Sequence, residues 1–276
     1  MSPGKTTGSL VISELATMFR RRRTIALLVV LAAVPVLIAI AVKVSSSPAQ
    51  PGHGPAFLDR VSQNGLFVAV TALVVSTPLF FPLAIGVVAG DSIAGEANLG
   101  TLRYLLIAPV GRVRLLGVKF VASCVFCVVA TFAMAATGAA IGAALFPVGR
   151  VTLLSGATVS PTAALGRSAL VAVYVTISLI GVAAVGLFVS TLTEVPVGAM
   201  AAIVVLTIAS QILDGIPQVG WLHPWLISHE WLGFGDLMRN PISWNSMQRD
   251  ALLQLGYVAV FGALAYSRFT TKDVLS

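Results

Sequence analysis

Six stretches of this chain are apolar for about the length that a helix needs to cross a bilayer, roughly 20 residues. They are Ile25–Val42, Gly65–Gly90, Phe120–Phe146, Ala169–Val189, Val195–Leu213 and a last one over 250–267, whose apolar heart is Leu252–Tyr266. Such runs fit only all-helical or closed-barrel solutions, because every backbone group in lipid must find its partner within the protein. Runs this long point to helices. Composition agrees. Only 10% of the 276 residues are charged and 57% are hydrophobic, where a soluble domain carries about 25% charged. The chain is expected to be an all-α integral membrane protein of six spans.

The net charge of +7 would suggest nucleic acid as a partner in a soluble protein. Here the bases flank apolar runs, so they report orientation instead. With the N-terminus inside, the cytoplasmic segments hold Lys5, Arg20, Arg21, Arg22, Arg23, Arg103, Arg112, Arg114, Lys119, Arg268 and Lys272. The opposite side holds Lys43, Arg60, Arg150, Arg167, Arg239 and Arg249. Eleven against six places both termini in the cytoplasm. Arg20–Arg23 before the first run also resemble the start of a signal peptide. The run of 18 residues (25–42) exceeds the roughly 7–15 of a signal core, so an uncleaved anchor is expected. Residues 1–24 form a tail and a helix, since Val11, Leu15, Met18 and Arg22 recur on one face.

Several strings echo known chemistry and lack its full set. Gly4-Lys5-Thr6 has neither the first glycine nor the strand of a phosphate-binding loop, so no ATP site is expected. Cys124 and Cys127 lie in an apolar helix without further metal ligands, and packing explains them. His229-Glu230 opens like a zinc-protease motif, but Gly233 stands where the second histidine belongs, and no metal site is expected. All four tryptophans, Trp221, Trp225, Trp231 and Trp244, fall in the segment 214–249, which suits short interfacial helices at the outer headgroups. Gly138 and Gly142 form a small-residue pair that serves close helix packing, within the chain or across a dimer.

The second to fifth runs carry no Asp, Glu, Lys, Arg or His in their interiors. Proton and ion carriers need such groups, and an intramembrane hydrolase needs a nucleophile with its base. Polar lining for a translocation path is limited to side chains such as Thr71, Ser76, Thr131, Thr176 and Gln211, and most intramembrane hydroxyls are expected to bond their own helix. Energy for transport must therefore come from outside the chain.

The segment 91–119 stands out between the second and third runs. Leu99, Leu102 and Leu106 form one helical stripe, ended by Pro109 and Gly111, with Arg112, Arg114 and Lys119 after it. Its order, Glu96, Gly100, Thr101, Leu102, Leu105, Leu106, Pro109, Val110, Arg112 and then Lys119, resembles the signature of ABC-2 type transporter permeases. That resemblance implies an N-terminal elbow helix, six spans, a cytoplasmic coupling helix and outer interfacial helices before the last span. It implies residence in a prokaryotic cytoplasmic membrane, a second permease subunit, identical or related, and a separate ATP-binding subunit that holds ATP and Mg. Glu96, Gly100, Thr101, Leu105, Pro109 and Arg112 are then the residues expected to couple to it. The expected activity is export of an apolar or amphipathic, drug-like or antibiotic-like substrate. A lipid or glycan carrier, and a non-transporting anchor that recruits an ATPase, are the alternatives.

Overall fold

The computed structural model describes residues 3–44, 64–100, 111–153 and 155–271. Eight α-helices dominate these residues: α1 (Pro3–Arg20), α2 (Arg22–Val44), α3 (Phe67–Ser76), α4 (Phe80–Asn98), α5 (Arg112–Leu145), α6 (Pro161–Leu192), α7 (Pro196–Asp214) and α8 (Asn245–Thr271). All but α1 and α3 are long and apolar enough to cross a membrane, six in all. This is the all-α membrane architecture that the apolar runs require.

Helix α6 is the hub. It packs against α4, α5, α7 and α8, and Tyr174, Val171, Leu179 and Val182 on it are fully buried. Its start is set locally: Ser160 accepts a hydrogen bond from the Ala163 amide, and Pro161 follows at the first helical position. A capping serine and a first-turn proline are the residue types that a helix N-terminus favours. A short antiparallel hairpin, β1 (Val151–Thr152) with β2 (Thr158–Val159), precedes α6 and turns through Gly156 at φ +80°.

The expected second span, 65–90, is divided. Helix α3 stops at Ser76 and α4 begins at Phe80. Pro78 cannot donate to the ladder, and Pro82 likewise removes an amide from the first turn of α4. The break tolerates its apolar surroundings because Gln211 on α7 donates to the Pro78 carbonyl at 2.7 Å. Re-satisfying freed backbone groups is what permits broken helices at membrane depth. Gln211, expected along a path, holds this break.

Helices α3 and α5 cross in close contact. A Cβ at Gly138 would lie 2.6 Å from the Ala69 Cα, and a Cβ at Gly142 would collide with the Gly65 backbone. The small-residue pair therefore serves packing within the chain. Thr131 on α5 and Thr176 on α6 meet at 2.7 Å, each also bonded to its own helix carbonyl. Thr71 and Ser76 are buried on α3.

The segment 214–249 forms three short 3-10 turns, Pro217–Val219, His223–Trp225 and Gly233–Met238. Trp221, Trp225 and Trp244 are exposed, but Trp231 is buried with Ile227, Leu237 and Met238 in the core. Arg167, itself buried, donates to the Leu237 carbonyl at 2.8 Å and to that of Arg239, which ends the third turn against α6.

Candidate functional site

Polar and charged side chains concentrate at one end of the bundle, where α1 meets α2 and where α4 ends and α5 begins. Helix α4 runs eight residues beyond Gly90, and α5 starts eight residues before Phe120. The segment expected between the second and third spans is thus partly helical continuation. Asp91 and Glu96 sit on α4, and Lys119 sits on α5.

Asp91 is buried at 5% exposure. Its Oδ2 takes Arg21 Nη1 at 3.2 Å and the Arg23 guanidinium as well. Gly95, one turn on, keeps clear the space that the Asp91 carboxylate fills. The arginine block is therefore more than a topology signal, since two of its members lock the α1–α2 corner to α4. Arg22 opens α2 and faces outward, while Val11, Leu15 and Met18 of the expected stripe face inward.

Lys119 is nearly fully buried and lies between two acids. Its Nζ donates to Glu14 Oε1 on α1 at 2.7 Å and to Glu96 Oε1 on α4. A carboxylate in the last turn of α4 opposes the helix dipole, and the ammonium offsets that cost. Glu14, Arg21, Arg23 and Lys119 also border one small cavity of about 30 Å³, enough for about one water. Ser190 on α6 adds a third tie. Its Oγ accepts the amides of Ile93 and Ala94 at 3.0 and 2.9 Å, just before α4 ends.

Two more expected site residues fall at this end. Gly100 has φ +69°, the left-handed region where only glycine rests without a Cβ penalty. Among the described residues nothing lies within 4 Å of a Cβ placed there, so the need for glycine shown there is conformational. Arg112 caps α8, donating to the carbonyls of Phe269 and Thr270 at 3.3 and 3.0 Å. A cation at a helix C-terminus is favourable through the orphan carbonyls. Thr101, Leu105 and Pro109, with the expected stripe residues Leu102 and Leu106, lie outside the described residues.

Sequence reading missed Asp91, Glu14, Ser190 and the pairing roles of Arg21, Arg23 and Lys119. The available signal was charge balance. Among few acids, Asp91 and Glu96 lie between the second and third apolar runs, and a block of four arginines precedes the first. What it lacked was the partner list, because Glu14 and Lys119 are 105 residues apart.

The arrangement can do one thing mechanically. The described residues of α4 end just before position 101 and α5 begins just after 110, and the ion pairs fasten those two helices to each other and to α1. Force on the segment reaches three helices together.

The sequence profile described as ABC-2 family transporter protein matches residues 9–274, nearly the whole chain. No curated protein matches it. The chain belongs to the ABC-2 family, and it is a multi-pass membrane permease component of an ABC transporter.

Proposed function

We propose that this permease exports an apolar or amphipathic substrate, driven by a separate ATP-binding subunit that docks on the segment after α4. A second permease subunit, identical or related, completes the membrane pore, and ATP and Mg belong to the ATP-binding partner. The side carrying α1, the α4–α5 connection and the end of α8 is then cytoplasmic. The observation that carries the reading is the Glu14–Lys119–Glu96 triad, which spans the two ends of the expected coupling segment and ties both to α1. The interiors of the second to fifth apolar runs carry no ionisable group, which supports an external energy source. Apolar surfaces with scattered hydroxyls suit an apolar cargo.

Gly100 offers the test. Among the described residues the space beside it is open, so a bulky side chain there adds a clash with a docked partner to the backbone cost that any side chain has at φ +69°. In reconstituted complex, Gly100→Trp abolishes permease-stimulated ATP hydrolysis and transport. Gly100→Asn, which tolerates the left-handed region, retains both. Wild-type stimulation and transport by the tryptophan variant refute docking here. Transport that persists with a hydrolysis-dead partner refutes ATP drive.

A further inference from the structure

Helices α5 and α8 both pack on α6, and a groove of about 240 Å³ runs between them. Leu116 and Phe120 of α5 form one wall, Val258 and Tyr266 of α8 the other, and Ala184 and Leu187 of α6 the floor. Gly117 and Gly262 line it too, one on each wall, and among the described residues nothing lies within 4 Å of a Cβ placed on either. The groove is therefore the room that two absent side chains leave. It lies wholly on helices long and apolar enough to cross a membrane, and its rim is exposed at Val113 and Tyr266. Arg112 marks one end, where it joins the start of α5 to the Phe269 and Thr270 carbonyls of α8.

We propose that the groove binds one acyl chain of an anionic phospholipid, such as phosphatidylglycerol, with the phosphate at the Arg112 end. Volume, length and charge converge on this occupant. A groove at a lipid-facing surface forfeits dispersion contacts unless something fills it. Its volume falls below the roughly 300–1,000 Å³ of pockets that hold drug-sized molecules, which favours one narrow chain. A helix of a second copy, about 10–12 Å across, does not enter a space of this size. The α8 wall from Val258 to Tyr266 runs about 12 Å at the helical rise, and one leaflet is about 15 Å deep, half of a core of about 30 Å. The groove thus has nearly the length of one leaflet, on the side of the charged cluster. Its Arg112 end is basic, with Arg114 two residues further along α5, and arginine at a membrane surface favours a phosphate. Tyr266, half exposed, lies at the same end, where an amphipathic ring meets the headgroups. The bound lipid fills the seam between α5 and α8 and ties both helices to the headgroup layer.

The test uses the full chain in detergent, freed of lipid by gel filtration and titrated with dioleoyl phosphatidylglycerol or dioleoyl phosphatidylcholine under native mass spectrometry. Wild type binds one phosphatidylglycerol ahead of all further lipids, and prefers it to phosphatidylcholine by about fivefold for each arginine it meets. Gly117→Leu and Gly262→Leu fill the groove without a clash and lose this first lipid. Gly256→Leu, on α8 outside the groove and also in open space, keeps it. The double variant Arg112→Gln, Arg114→Gln loses the preference for the anionic lipid. A melting midpoint at or above that of wild type establishes that a leucine variant is folded, leucine being the better helix former, and Gly117→Met or Gly262→Met replaces either that is not. Equal first-lipid binding by wild type and the leucine variants, or equal binding of the two lipids by wild type, overturns the site. Loss of a dimer instead of a lipid in the leucine variants gives the groove to a second copy and overturns it as well.

Discussion

Replacing Lys119 by methionine is the most direct probe of the charged end. The lysine side chain is 3% exposed, with Glu96 13% and Glu14 24% exposed. Methionine keeps the length of the stem and removes the ammonium, leaving two carboxylates close together without their shared cation. Breaking a buried ion pair from one side costs about 3–5 kcal/mol. Glu14 retains contact with solvent and Glu96 retains a further interaction, so about 2–3 kcal/mol is expected here. For a chain of this size that lowers the unfolding midpoint by roughly 4–12 °C. A thiol-reactive fluorophore reads it in a Cys124→Ala background, since the remaining Cys127 is fully buried and reacts only on opening. The triple variant Lys119→Met, Glu14→Gln, Glu96→Gln recovers most of the loss, because removing every charge removes the unpaired ones. Lys119→Arg falls between. A midpoint for Lys119→Met within about 1 °C of wild type, or a triple variant worse than the single one, refutes the triad as a clasp.

Two further outcomes follow from the packing. Gly142→Leu forces α3 and α5 apart at backbone contact, costing about 3 kcal/mol or more in the same thiol assay, whereas Gly256→Ala on α8, with open space around it, is tolerated or stabilising. Gln211→Leu strands the Pro78 carbonyl inside the bundle and costs about 1–3 kcal/mol, with faster proteolysis near the α3–α4 break as the confirming readout and unchanged stability as the refuting one.

Much of this could be read along the chain, and the misses share one cause. The Ala–Gly run of α5 announced a close helix contact, but only the folded chain identifies Gly65 and Ala69 as its partners. Pro78 was visible inside an apolar run, yet apolarity alone made 65–90 look continuous. Helices α4 and α5 outrun their apolar cores because Asp91, Glu96 and Lys119 remain helical once each has a partner. Trp231 shared its composition with three exposed tryptophans and was carried inward by its neighbours Ile227 and Leu237.

By itself the sequence determined the membrane class and the six spans. Transfer out of water is a local cost, summed residue by residue, so it survives in a linear reading. Only the tertiary structure decided that Asp91 meets Arg21 and Arg23, that Lys119 joins Glu14 to Glu96, and that Gln211 closes a broken helix. A charge or a freed carbonyl at membrane depth is tolerable only with a partner, and partners 23 to 133 residues away are chosen by how the helices pack.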